Sequence, residues 1–401
     1  MTKFRLLSLY ACVLIGLVPF TPLAGQTSLP PVVSSDPNRT ALTSGNATTK
    51  SPPLAPNQFS HSEDLTLRWL YTDHLMSSPG NNTATNVYTI TPSISAQLGP
   101  NFSANYTLTA DFYSSSQFHE TIGHNAQLGY NLVRPSWSFN ASEVGSISDS
   151  PLVETGQQTK QTAYATSLAV AKSIINTLSV TADGSYSVSE ASAFNSERSL
   201  SSMAWIRYRM LPQLSLRIGS GLGRSTVDTG ANSRSVQSQV GCTLSLDRKL
   251  DLDANYGTEK RSYDNSPQAD SSSPVYSANL NYRPFEQTSI NLNGSRSTSG
   301  ALLENQAVNR ETWAVSFNQR ILGHFQLTLG HDASTATYIP TNTAESVSRR
   351  DHTTGYDIGL STAIRTHSSL SLNYRYTINN SDAAGYDYSS SQYSATFTYK
   401  F

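Results

Sequence analysis

From Glu63 to Phe401, apolar and polar residues alternate singly in one segment after another. "EDLTLRWLYT" sets Leu65, Leu67, Trp69 and Tyr71 on one side, and "FSANYTLTADF" does so with Phe102, Ala104, Tyr106, Leu108, Ala110 and Phe112. "LSLRIGSGLG" presents Leu214, Leu216, Ile218 and Leu222; "VQSQVGCTLSL" presents Val236, Val240, Cys242, Leu244 and Leu246. "YSANLNY", "TSINLNG", "WAVSFNQRI", "YDIGLSTAI" and "LSLNYRYTI" repeat the scheme. A period of two is that of a strand whose successive side chains point to opposite faces. One such segment is a weak signal. About eighteen of them, each of ~10 residues and separated by turns, make the pattern of a transmembrane β-barrel. The expected fold is all-β: a closed antiparallel transmembrane β-barrel of about 18 strands, with 16 as the alternative.

The connections alternate in length. Short turns fall at "LGPN", "VRPS", "MLPQ", "DRKL", "RPFEQ", "ILGH" and "RTHS", and between them lie loops such as "SDSPLVETGQQTKQ", "EKRSYDNSPQADSSSP", "STSGALLENQAVNRE" and "YIPTNTAESVSRRD". Outer-membrane barrels have short periplasmic turns and longer outer loops, so both termini are expected on the periplasmic side. "VYTITPSISAQL" breaks the pattern, because Pro92 brings no N–H to a ladder and predicts a bulge or a miscounted strand. A basic residue recurs at the short-turn ends: Arg134, Lys172, Arg209, Arg248, Arg283, Arg320, Arg365 and Lys400. The simpler explanation is that these side chains snorkel to lipid phosphates; the sharper one is a basic mouth that attracts anions.

Composition narrows the choice. Only 37% of the residues are hydrophobic and only 14% charged, with 21 tyrosines among an excess of Ser, Thr and Asn. A water-filled barrel accommodates both scarcities, since only one face of each strand has to be apolar. The net charge of −1 points to no nucleic-acid partner. The long apolar run is "LLSLYACVLIGLVPF" after Lys3 and Arg5, followed by the small residues of "TPLAGQ". It reads as a signal peptide over residues 1–25, with the run passing beyond Cys12 and so arguing against lipidation there. Residues 26–58, rich in Pro, Ser, Thr and Asn, read as a disordered periplasmic linker, and 59–401 as the barrel. Cys242 is then the only thiol of the mature chain. The tail "YSATFTYKF" places Tyr393, Phe397, Tyr399 and Phe401 on one face, as expected of a last strand that meets lipid. It also resembles the C-terminal signal read by the outer-membrane assembly machinery, which makes those four residues candidates for an assembly signal.

"RRDHTTGYDIGLSTAIRTHSSLSLNYRYTINNSDAAGYDYSSSQYSATFTYKF" carries a more specific likeness: an Arg-Asp pair opening a strand, "LSLNYRY", an acidic loop, a Tyr-rich last strand and terminal Phe401. In these features the chain resembles the second putative β-barrel porin family, with "SLRIGSGLGRS" and "LDLDANYGTEKRSYDNS" extending the likeness upstream. The resemblance implies a Gram-negative outer-membrane barrel, one often accompanying exopolysaccharide export systems, and brings no catalytic residues with it.

No catalytic, cofactor or metal site is expected. The eight histidines, His61, His74, His119, His124, His324, His331, His352 and His367, look scattered mostly over loops and turns, and there is no G-x-S-x-G elbow, P-loop or CxxC. "HD" at His331 and Asp332 puts the two side chains on opposite faces, and "GSGLG" suits a tightly packed strand better than a phosphate cradle. The candidate site is the lumen. Parity points Arg207, Arg209, Arg217, Asp251, Asp253, Asp111, Asp183, Asp357 and Arg375 inward as pore-lining residues. They either create a transverse field that sorts solutes by charge or neutralise one another between adjacent strands. The expected function is passive passage of small hydrophilic solutes, with a β-barrel partner in an exopolysaccharide export complex as the alternative. Expected partners are outer-membrane lipid, the assembly machinery and polysaccharide export proteins.

Overall fold

The computed structural model describes residues 58–75, 83–149, 151–152, 157–192, 196–229, 231–247, 249–264, 270–300, 306–340 and 348–401. The expected signal peptide and all but the last residue of the expected linker lie outside the described residues, as does Arg248. The strands are β1 (Phe59–Thr72), β2 (Thr85–Leu98), β3 (Phe102–Tyr113), β4 (Thr121–Val133), β5 (Trp137–Ser148), β6 (Pro151–Leu152), β7 (Gln157–Gln158), β8 (Gln161–Ile175), β9 (Leu178–Ala191) and β10 (Glu197–Leu211). They continue as β11 (Leu214–Val227), β12 (Ser233–Leu246), β13 (Leu250–Tyr263), β14 (Ser271–Phe285), β15 (Thr288–Gly300), β16 (Gln306–Ile321), β17 (Phe325–Pro340), β18 (Arg349–Arg365), β19 (Ser368–Ser381) and β20 (Tyr388–Lys400). The two-residue strands β6 and β7 pair only with each other. The other 18 form one antiparallel sheet in which each strand pairs with its neighbours in sequence.

The sheet closes on itself. β1 pairs with β20 from Asp64↔Lys400 to Thr72↔Gln392, and the Phe401 amide donates to the Glu63 carbonyl at 3.0 Å. Side chains fasten the seam too, with hydroxyls meeting at Thr66–Thr398, 3.1 Å apart. Just beyond β1, burial disfavours the charge of Asp73, but the Ser391 amide and His74 outweigh it and hold the carboxyl below its usual range. The connections alternate as the sequence suggests: two or three residues at one end of the barrel, longer loops at the other. Four register shifts, at Ser173/Ile175, Arg209/Leu211, Tyr282/Phe285 and Ala363/Arg365, fall at the short-turn end, where bulges commonly adjust a barrel rim.

The two faces divide as the alternation requires. Leu67, Trp69, Ile90, Leu128, Leu168, Ile206, Ile218, Val240, Ile358 and Leu372 stand exposed on the outer face. The inner face carries cross-strand hydroxyl and amide pairs, including Ser142–Ser167 at 2.7 Å, Asn281–Asn291 at 2.9 Å and Ser295–Thr312 at 2.9 Å. The buried apolar side chains Val87, Met203, Trp205, Val275, Val308 and Tyr338 also belong to the inner face. Phe118, from the β3–β4 loop, is buried with its ring 5.5 Å from that of the inward Tyr113.

Two expectations change. Pro92 makes neither a bulge nor a lost strand. The β2–β3 ladder passes from Ile90↔Ala110 to Ser93↔Thr107 in unchanged register, and Pro92 still stands opposite Leu65 on β1. The missing N–H leaves a gap in one ladder, which pairing on both sides bridges. The histidines are not mostly in loops, either: His61, His124, His331 and His352 lie in strands, on the outer face. There His124 meets the Tyr106 hydroxyl at 2.8 Å, and the His331 ring lies tilted against that of Tyr356, centroids 4.9 Å apart.

The parity makes a direct test. Leu216→Arg or Val240→Arg should each cost about 2–4 kcal/mol near the bilayer midplane, whereas Gln239→Arg, on the inner face, should cost much less. Urea unfolding of the protein refolded into lipid vesicles measures the difference; the reverse order would mean a register error of one residue.

Candidate functional site

The interior wall carries the charges singled out in the sequence, and the strands combine them in specific ways. Arg207 on β10 stands directly opposite Arg217 on β11. Arg217 does not face the bore as a free cation. Its guanidinium crosses β12 and forks onto Asp253 of β13, with Nη2 donating to Oδ1 at 2.6 Å and Nη1 to Oδ2 at 2.9 Å. Nε donates to Asn255 Oδ1 at 2.7 Å, Thr243 adds its hydroxyl to Asp253 Oδ2 at 3.0 Å, and the Trp205 ring centroid lies 5.3 Å from the guanidinium. The ion pair is nearly sealed from solvent, its side chains 5% and 4% exposed.

A glycine makes the crossing possible. Gly241 on β12 lies between Arg217 and Asn255 in the ladder, and a Cβ there would stand 2.8 Å from Arg217 Nε and closer still to Asn255 Oδ1. The same arrangement recurs six strands further round the barrel. Arg375 of β19 pairs with Asp357 of β18 through Nη1 at 2.6 Å, and reaches past Gly355 to Asp332 of β17, Nη2 to Oδ1, at 2.9 Å. A Cβ on Gly355 would lie 2.5 Å from both Arg375 Nη2 and Asp332 Oδ1. Mutual neutralisation therefore occurs, but across an intervening strand as well as between adjacent ones.

The remaining residues singled out are spread round the wall. Asp111 accepts from the Thr89 hydroxyl at 2.6 Å; Asp251 accepts from Ser245; Asp183 stands opposite Met203 and Ala169. Arg209, opposite Ser215, is exposed at the short-turn end. "GSGLG" lies within β11, with Gly219 and Gly221 facing inward beneath Trp205 and Met203.

Two clusters escaped the sequence reading. Glu259 and Arg261 are two residues apart on β13 and pair at 2.9 Å, with Arg261 also donating to the Ser233 hydroxyl and the Thr298 carbonyl, each at 3.0 Å. At the long-loop end the Arg349 guanidinium lies 4.0 Å from the centroids of both Tyr338 and Tyr386, and 3.1 Å from Asp351. Tyr386 belongs to the β19–β20 loop, so that loop turns inward over the wall. The parity of "EKR" and "RRD" contained the inward direction of these charges; the loop contact lay outside any strand period.

The short-turn end looks different. Arg209, Arg283, Arg320 and Lys400 are all exposed and inward by register, opposite Ser215, next to the inward Asn281, opposite Gln326 and opposite Asp64 respectively. Lys172, opposite the outer-face Trp137, points out. Snorkelling to lipid thus describes Lys172 but not these four, which form a basic rim around the interior. Asp64 and Asp251 face inward at the same end. Among the described residues no group of three or more His, Cys, Asp and Glu side chains could hold a metal.

A closed 18-strand sheet with an apolar exterior and a polar, charge-paired interior defines a transmembrane β-barrel of the outer-membrane type. Residues 130–401 match the family described as Putative beta-barrel porin 2, and the chain belongs to that family. No curated protein matches the chain by sequence. Among solved structures it is similar to OccAB3 of Acinetobacter baumannii, at 11% identity, with 85% of this chain and 100% of that one covered and a TM-score of 0.46. OpdO of Pseudomonas aeruginosa is similar at 12% identity, with 87% and 98% covered and a TM-score of 0.46. So is Pseudomonas aeruginosa OccK2 (OpdF) in complex with glucuronate, at 11% identity, with 87% and 100% covered and a TM-score of 0.46.

The sealed ion pair predicts its own energetics. Asp253→Ala, which leaves Arg217 buried and uncompensated, should cost about 3–5 kcal/mol, while Arg217→Met combined with Asp253→Leu should cost far less. Urea unfolding in vesicles, followed by tryptophan fluorescence, distinguishes them. Equal losses in the single and double variants would mean that the pair is solvated.

Proposed function

We propose that the protein is a passive outer-membrane pore for small hydrophilic solutes, with the basic rim at the short-turn end giving it a preference for anions. The observation that carries this reading is the contrast along the inner wall. Charges such as Arg217, Arg375 and Arg261 are neutralised by acids in the wall, whereas Arg209, Arg283, Arg320 and Lys400 are exposed to the interior. A barrel of 16–18 strands leaves room for an aqueous channel, and cations lining its mouth raise the local anion concentration. Arg207, Asp111, Asp183 and Asp251 line the path, and the paired residues Asp253, Asp357, Arg217 and Arg375 stiffen it. The short turns lie in the periplasm, where both termini also lie, and the long loops face outward. The outer-face Tyr393, Phe397, Tyr399 and Phe401 offer the assembly machinery its recognition edge.

Changing Arg209, Arg283, Arg320 and Lys400 together to Glu should move the reversal potential toward cation preference in planar bilayers, strongly at low salt and weakly at ~1 M, where the screening length falls to about 3 Å. An unchanged potential in a conducting variant would remove the rim from the permeation path. A wild-type barrel that never conducts would instead favour a role beside polysaccharide export proteins.

Orientation has a separate test. Asp228→Cys, in the β11–β12 loop of a Cys242→Ser background, should react with a membrane-impermeant maleimide on intact cells. Labelling only after the outer membrane is breached would invert the barrel. Deleting Phe401 should lower the amount of heat-modifiable barrel in the outer membrane; normal levels would leave the tail without an assembly role.

A further inference from the structure

The outer face of β10–β13 departs from the apolar rule at its long-loop end. Arg224 of β11 and Arg234 of β12 are direct cross-strand partners, and both are exposed. Arg198 of β10 stands opposite Thr226, one side-chain repeat along the same face from Arg224, and Lys260 of β13 stands opposite Val236, one repeat from Arg234. Four cations on four consecutive strands thus form a staircase, with strands spaced about 4.8 Å apart. Like charges directly opposed across a ladder are destabilising, so an Arg–Arg pair calls for an anion between its members. One nearby acid answers part of this charge: Asp264 pairs with Arg234 at 3.7 Å in an exposed contact on the side away from Arg224's strand. Glu190 is on β9, on the far side of Arg198 from the Arg–Arg pair, so the staircase keeps a net positive charge. The cations are interleaved with the exposed Leu200, Leu222 and Val236, which belong to the apolar outer wall.

We infer that this staircase binds the phosphate groups of a lipid headgroup, with the interleaved Leu and Val side chains lying against its acyl chains. Guanidinium groups bind phosphate through two parallel N–H donors, and neighbouring arginines on one face present such forks side by side. A soluble anion would have no use for the leucines between the cations, whereas a headgroup at the edge of the hydrocarbon layer meets both. The lipid belongs to the leaflet on the long-loop side, so that its assignment to the outer leaflet rests on the orientation proposed above.

The experiment uses the refolded full-length barrel in zwitterionic detergent and bisphosphorylated lipid A as the probe, with bound lipid counted by native mass spectrometry. Wild-type protein should retain the probe, and should bind its dephosphorylated form much more weakly. Each cation neutralised among Arg198→Gln, Arg224→Gln, Arg234→Gln and Lys260→Gln should lower affinity about fivefold, as expected for a basic side chain near an anionic lipid surface. Lys172→Gln, at the opposite end of the outer face, should bind as wild type does. Heat-modifiable migration of the quadruple variant establishes that a loss of binding is not a loss of fold. Equal retention of phosphorylated and dephosphorylated probe, or full binding by the folded quadruple variant, would overturn the site. Complete displacement by an equal concentration of inorganic phosphate would also overturn it, by reducing the staircase to a general anion patch. Phosphate-dependent binding together with failed labelling of Asp228→Cys on intact cells would leave the site intact and overturn only the orientation.

Discussion

Backbone hydrogen bonding in a medium without water is the constraint from which the rest of this structure follows. Each unpaired N–H or C=O in hydrocarbon costs several kcal/mol, so a sheet that crosses a bilayer cannot keep an edge. The β1–β20 ladder removes it. The cross-seam hydroxyl pair and the Asp73 contact reinforce that closure. Tolerance of Pro92 has the same basis: one missing donor leaves a local gap, and the register on either side is held by neighbours that are themselves held by a closed ring.

Closure gives every strand two environments, and the charged groups follow them. Inside, burial makes a lone guanidinium expensive, and the wall supplies partners even where the nearest acid is two strands away. Glycine is the enabling residue, because only a position without a side chain lets Arg217 or Arg375 cross a strand. Outside, the middle of β10–β13 carries mostly apolar and small residues, and the cations of those strands stand at the loop end. The cations at the short-turn rim, Arg209, Arg283, Arg320 and Lys400, are left exposed.

Much of this was legible in the sequence. The two-residue alternation determined the strands, their number and which side chains share a face, because a side chain's side in a strand depends only on its parity. Alternating connection lengths determined which strand ends lie together. The same parity set the nine candidate charges on the polar side of their strands and the aromatic residues of the last strand on the other side. What only the tertiary structure decided is which charges meet. Arg217 and Asp253 are 36 residues apart and Arg375 and Asp332 are 43 apart, and their contact depends on the register of three strands and on a glycine in the middle one. The inward turn of Tyr386 onto Arg349 and the fate of Pro92 were likewise decided only in the folded barrel. Parity is a property of one strand, but a side chain's partners belong to the neighbours that closure places beside it.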